Sequence, residues 1–177
     1  KVRDIIRMDP RRCYVVPSAP GRRFPEDEKI TDLLYQTYRA QRNGENIEPI
    51  FRRIRERYLS IAEELGLSFP IARELDEVER LIREGASEDF CASRGEYLNG
   101  LLLADYLGFA FLDPKDLVFF NDDGTFDSER TNDVKAEKLK AVSQAVIPGF
   151  YGSIRGGEVH TFSRGGSDIS GSIVARA

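Results

Sequence analysis

Residues 145–171 read AVIPGFYGSIRGGEVHTFSRGGSDISG, and the fold class follows from them. AVI is a short apolar run that breaks at Pro148-Gly149, the pattern of a strand at its end. Glycines then flank Phe150-Tyr151, and RGGEVHTF turns back as a strand of its own. SDISGSIVARA opens a helix, with Ser167 or Asp168 as a natural N-cap. Gly165 and Gly166 before it carry no Cβ, so the backbone there can approach a neighbour or a ligand closely. The first N–H groups of the helix are unpaired and favour an anion. A tight turn with a good cap explains the same residues without a ligand, and this stretch alone leaves both readings open.

The rest of the chain alternates in the same way. CYVVPSAPG (13–21) reads as a buried strand followed by a loop, and RRFPEDEK as a charged excursion. Helices follow at 30–41, where Ile30, Leu33, Leu34 and Tyr38 share a face, and within 46–67, with Ile50, Phe51, Ile54, Tyr58, Ile61 and Leu65. A third carries Leu75, Val78, Leu81 and Ile82 and stops at Gly85. SRGEYLNGLLLADYLG (93–108) is apolar nearly all round after Asn99, which predicts a helix deep against a sheet. FAFL and LVFF read as short strands, NDDGTFD as a hairpin turn, and NDVKAEKLKAVSQ as a surface helix. Strand and helix in alternation predict a three-layer αβα sandwich with a mainly parallel sheet. Val2, Ile5 and Ile6 look like the last turns of an uncapped helix, and SIVARA stops inside one. The expectation is a segment of a longer polypeptide, truncated at both ends.

Composition narrows the function. Of 177 residues 41% are hydrophobic, enough for one core, and the net charge of −4 speaks against a general nucleic-acid or membrane surface. No apolar run approaches the ~20 residues that span a bilayer. Cys13 and Cys91 lie far apart and suit a reduced, cytoplasmic setting. One histidine, His160, and two cysteines make a zinc site or a Ser/His/Asp triad a poor expectation, and no metal-binding residues are assigned. His160 reads as a solvent-facing strand residue, and Cys91 as a buried thiol just before a helix start. A Walker-type GxxxxGK[ST] is missing from the sequence. Ligands in such sheets gather where strands give way to helices. The loops of that character are 18–21, 93–96, 149–152 and 163–168, and their arginine, carboxylates and glycines suit a small zwitterion plus a phosphate chain.

SRGEYLNGLLLADYLG, GFYG and TFSRGGSD resemble the signature segments of aspartate kinase, in the amino-acid kinase superfamily, and VVPSAPG with ITDLL resembles that family's first strand, loop and helix. The resemblance runs from about residue 13 to the end and is weakest across 40–85, with RRFPEDEK as an apparent insertion. It implies a transferase that moves the γ-phosphoryl group of ATP, with Mg²⁺, to the side-chain carboxylate of L-aspartate, the first step toward lysine, threonine and methionine. Residues 1–177 then correspond to the N-terminal, amino-acid-binding lobe. The family's lysine-bearing opening, its adenine-binding segments and its regulatory domains are not matched, so the segment by itself is expected to be inactive. A homo-oligomer formed through those other regions is implied, with no nucleic acid or membrane partner.

Individual roles follow residue by residue. Arg164 suits bidentate pairing with a substrate carboxylate, and Gly165, Gly166 and Ser167 would offer donors to the same substrate. The resemblance gives Glu96 the substrate's ammonium, although Ser93-Arg94-Gly95-Glu96 also fits a capping box. It places Ser18 and Gly21 toward the phosphates and Thr31 toward aspartate, while Thr31 also passes for an N-cap. Asp168 is a helix cap or a catalytic organiser, and Phe150 shields the site or fills core. Two other readings stay open. One is a sister kinase of this fold acting on another amino acid or a nucleotide; the other is a non-catalytic module that binds anions or amino acids.

Overall fold

The computed structural model describes residues 1–163 and 166–176. Helical periodicity builds its first half. α1 (Val2–Arg7) and β1 (Tyr14–Val15) precede three amphipathic helices, α2 (Ile30–Arg42), α3 (Glu48–Leu65) and α4 (Ile71–Arg83). The residues at helical spacing are the buried ones: Ile30, Leu33 and Leu34, then Phe51, Ile54 and Tyr58, then Leu75, Val78 and Ile82. α3 stops at Gly66, whose φ of 62° is left-handed and disfavours any side chain. These stripes converge on α5 (Glu88–Leu107) and close one apolar core among the four helices.

β2 (Ala110–Phe111) and β3 (Ala145–Val146) complete a parallel sheet with β1, in the order β1-β3-β2. Tyr14 and Ala110 flank Ala145, and Val15 and Phe111 flank Val146. Ala104 and Leu107 of α5 pack on one face, against Val146. α6 (Ser128–Lys140) and α7 (Gly166–Ala175) cover the other, where Leu139, Ile173 and Val174 meet Ala145 and Ile147. The layers are helix, sheet, helix, as the alternation predicts. β4 (Tyr151–Ser153) and β5 (Val159–Thr161) form a separate antiparallel hairpin beyond the end of β3.

Several local expectations need correction. α5 begins at Glu88, not near Ser93: its cap is Ser87, whose side chain accepts from the Phe90 N–H. Ser93 lies buried inside the helix with its hydroxyl donated to the Phe90 carbonyl, so the segment 93–96 is not a loop and its capping box does not form. LVFF is buried but makes isolated bridges, Phe119 to Ser153 and Phe120 to Phe126, rather than a strand. α6 is not simply a surface helix, because Thr131, Lys135 and Leu139 bury one stripe of it. The Lys135 ammonium donates to the Ile173 carbonyl at 2.7 Å, satisfying a carbonyl in the last turn of α7, and burial lowers its pKa. Cys91 sits within α5, fully enclosed, and burial pushes its thiol up to about 12. His160 is half-buried rather than solvent-facing: its Nδ1 lies 2.9 Å from Asp89, and its ring meets Phe120 edge to face.

Candidate active site

The loops that follow β1 and β3 meet beyond the C-terminal ends of the strands, with the first turn of α7 beside the second of them. The Gly149 N–H donates to the Pro17 carbonyl at 3.0 Å and ties the first loop to the second. α5 carries the first loop on its other side. Asn99 donates its side-chain amide to the Ser18 carbonyl at 2.6 Å, and the Ala19 N–H donates to Glu96 Oε1 at 3.2 Å. Gly95 makes this approach possible, since a Cβ there would stand 2.9 Å from Cβ of Ala19. Tyr58, fully buried in α3, donates its hydroxyl to the Gly95 carbonyl at 2.7 Å and fixes this turn of α5 against the helical core.

Glu96 is the electrostatic centre of the arrangement. It is 6% exposed, and its second oxygen, Oε2, is enclosed with no hydrogen-bond partner among the described residues. Burial pushes its pKa up to about 7, against the opposing pull of the Ala19 N–H and of Arg94. A carboxyl in this state is poised to ionise when a cation or a proton donor reaches Oε2. An ammonium group supplies both the charge and the missing hydrogen bonds.

The loop after β3 contains a strained turn. Phe150 has φ of 82°, a left-handed conformation that bulky residues avoid, and it is the one non-glycine residue with positive φ among those described. The Phe150 N–H donates to Ser170 Oγ at 3.0 Å and its carbonyl accepts from the Phe162 N–H at 2.9 Å, so α7 and the β5 end hold it from both sides. A Cβ on Gly166 would stand 2.6 Å from the Phe150 ring, and one on Gly149 would stand 2.7 Å from Cα of Ser167. The close approach that these glycines allow is therefore, at Gly166, an approach to Phe150.

Other predicted site residues fall at varied distances from this centre. Ser18 is exposed at the loop tip, and Ser167 is half-buried beside Gly149. Asp168 is exposed in the first turn of α7, and because the helix already includes Gly166, neither Ser167 nor Asp168 is its N-cap. Thr31 lies half-buried in the first turn of α2, next to Ile30, which packs at Gly95; the cap position before α2 belongs to Lys29, not to Thr31. Gly21 is drawn toward α3, where its carbonyl accepts from Arg57 at 2.6 Å. Arg164 and Gly165 lie outside the described residues. Sequence reasoning missed Asn99, Tyr58 and Ser170. Tyr58 was visible only as one more residue of an apolar stripe, and the other two had no signal beyond a polar residue on a buried helix.

No group of three histidine, cysteine, aspartate or glutamate side chains stands together among the described residues. No helix of the described residues is long and apolar enough to cross a membrane.

No family model matches the chain. Among curated proteins it is 34% identical to Aspartokinase 3 of Bacillus subtilis over 189 aligned positions, covering 99% of this chain and 42% of that protein. Among solved structures it matches the aspartate kinase of Clostridium acetobutylicum with a TM-score of 0.96 and 47% identity, over 98% of this chain and 40% of the other. Escherichia coli aspartokinase III, in complex with aspartate and ADP, matches with a TM-score of 0.79 and 25% identity over 98% of this chain and 42% of that one. The same enzyme with lysine and aspartate matches equally, with a TM-score of 0.79. The chain spans about two-fifths of the length of these relatives, and over that span it has the sequence pattern and the fold of an aspartate kinase.

Proposed function

We propose that residues 1–177 are the amino-acid-binding lobe of an aspartate kinase that transfers the γ-phosphoryl group of ATP to the side-chain carboxylate of L-aspartate. The observation that carries the reading is Glu96, a buried carboxyl beside the first strand-end loop with one oxygen unpartnered among the described residues. That group asks for a cation and repels a phosphate, which favours an amino acid over a nucleoside monophosphate as acceptor. In this reading Glu96 holds the substrate ammonium, and Arg164 pairs with a substrate carboxylate. Thr31, Gly165, Gly166 and Ser167 line the amino acid, and Phe150 walls the site.

Phosphoryl transfer needs two anions held in line, while charge spreads over the group in flight. ATP brings Mg²⁺, which neutralises phosphate charge. This chain's part is to fix the acceptor and present N–H donors from the start of α7. Ser18 and Gly21 face the phosphate side, and Asp168 organises it. The similarity to an enzyme solved with aspartate and ADP supports the reading. A cytoplasmic setting and a homo-oligomer built through further regions belong to the same proposal.

The test is the full-length polypeptide supplied with ATP, Mg²⁺ and L-aspartate, with hydroxylamine to trap the acyl phosphate as a hydroxamate. Aspartate-dependent hydroxamate is expected. Equal turnover of L-glutamate, or turnover of a nucleotide alone, would instead favour a sister kinase of the same fold.

A further inference from the structure

α5 carries a second charged group that the phosphoryl-transfer reading leaves idle. Arg94 stands two residues before Glu96, about 200° around the helix, and so on the opposite face. It is 5% exposed, and its guanidinium carbon lies 4.4 Å from the ring centres of Phe90 and Tyr97 and 5.3 Å from that of Tyr151. Its Nε and Nη2 donate to Ser93 Oγ at 3.2 and 3.0 Å. No carboxylate pairs with it among the described residues. Nη1 has no partner among the described residues, and Arg94 lines an open space. Aromatic faces return only part of the hydration that a buried guanidinium gives up.

That space is a half-open cavity of about 290 Å³ between the α4–α5 connection and the β4–β5 hairpin. Arg94 and Lys115 supply two cations, and Leu81, Phe90 and Val159 an apolar wall. Glu158 is the one carboxylate of the lining, so the cavity carries an excess of a single positive charge. A fork-shaped donor with a free edge suits a carboxylate, and the apolar wall disfavours a free phosphate. We propose that this cavity binds a small organic monocarboxylate with an apolar body, its carboxylate between Arg94 and Lys115 and its body against Phe90 and Val159.

The test titrates the full-length polypeptide with 3-phenylpropanoate and, separately, with the neutral 3-phenylpropanol, by calorimetry. Hydrogen exchange measured by mass spectrometry locates the effect. Saturable binding of the acid is expected, with slowed exchange confined to residues 81–94, 115 and 157–159, and the alcohol should bind at least roughly tenfold more weakly. Lys115→Glu changes an exposed side chain and should weaken the acid roughly tenfold or more with the fold intact. Arg94→Lys keeps the charge without the fork and should weaken it by a similar factor. Equal binding of acid and alcohol, undiminished binding by Lys115→Glu, or protection at other residues would each overturn the proposal. Acetate binding as tightly as 3-phenylpropanoate would also overturn it, by removing the role of the apolar wall.

Discussion

Glu96 on α5 and Phe150 in the loop after β3 flank two strand-end loops that are tied together, and different kinds of frustration hold them there. Glu96 sits in the middle of a twenty-residue helix with ordinary backbone geometry, and its cost is electrostatic: an enclosed oxygen without a donor. Phe150 sits in a loop whose hydrogen bonds are met, and its cost is conformational: a left-handed backbone on a bulky residue. A cationic group reaching Oε2 would relieve the first. Nothing that binds can relieve the second, which is offset by packing against α7 and β5. In the proposed site, one wall would respond to a ligand while the other is a fixed frame.

Removing the responsive wall should have the largest effect. Glu96→Gln keeps the size and the bond to the Ala19 N–H but cannot pair an ammonium. Losing a buried charge-assisted contact costs roughly 3 kcal/mol, or about two decades in kcat/KM for aspartate. Steady-state kinetics would show this with the apparent ATP affinity nearly unchanged. A loss of less than about threefold would break the assignment of Glu96.

The frame is tested next, through its glycines. Gly166→Ala forces a methyl onto the ring and backbone of Phe150 and should destabilise by about 2–3 kcal/mol in denaturant unfolding. Gly95→Ala sets a methyl 2.9 Å from Cβ of Ala19, so the first loop must shift, but the change gains helix propensity, and about 1–2 kcal/mol is expected. A reversed order would mean that the turn at Phe150 yields more readily than α5, and the contrast between frame and helix would fail. Arg164→Ala should lower kcat/KM for aspartate by roughly one to two decades, chiefly through KM, and leave stability within about 0.5 kcal/mol. Arg164→Lys should recover part of that.

The effect spread over the widest range of conditions is a pH dependence of stability. Folding raises the Glu96 pKa from 4.5 to about 7, so between these values the folded chain holds the proton more firmly than the unfolded one. Its contribution is therefore most favourable below pH 4.5, declines as pH rises through 7, and is level above that. The full span is about 3 kcal/mol, spread over the window and opposed by other carboxyls. Glu96→Gln should flatten that part of the profile in unfolding midpoints measured from pH 4.5 to 8.

The sequence made the helical half readable because α2, α3 and α4 each hold one buried stripe. α5 defeated the same logic at its start. It is enclosed nearly all round from Cys91 to Glu96, so periodicity gives no register, and two serines each followed by acids compete as caps. Ser87 wins because Glu88 and Asp89 suit the first turn of a helix. Two-residue strands gave too short a run for FAFL and LVFF to be told apart. The loops at Ser18 and Gly149 were readable as strand ends. The positive φ of Phe150 was not, because glycines on either side mask which residue carries the bend. Whether Glu96 caps a helix or faces a ligand could not be read from spacing alone. It turns on where α5 begins, and that is a tertiary fact.

The most direct measurement is the proton inventory of aspartate binding, made by calorimetry at pH 6.5 in two buffers of different ionisation enthalpy on the full-length polypeptide. Glu96 is mostly protonated there, and an arriving ammonium should ionise it. Binding should release roughly half a proton or more, and Glu96→Gln should abolish the release while weakening affinity. Aspartate that binds with no buffer-dependent heat, and equally well to Glu96→Gln, would contradict the placement of the substrate ammonium at Glu96 and with it the account of this site.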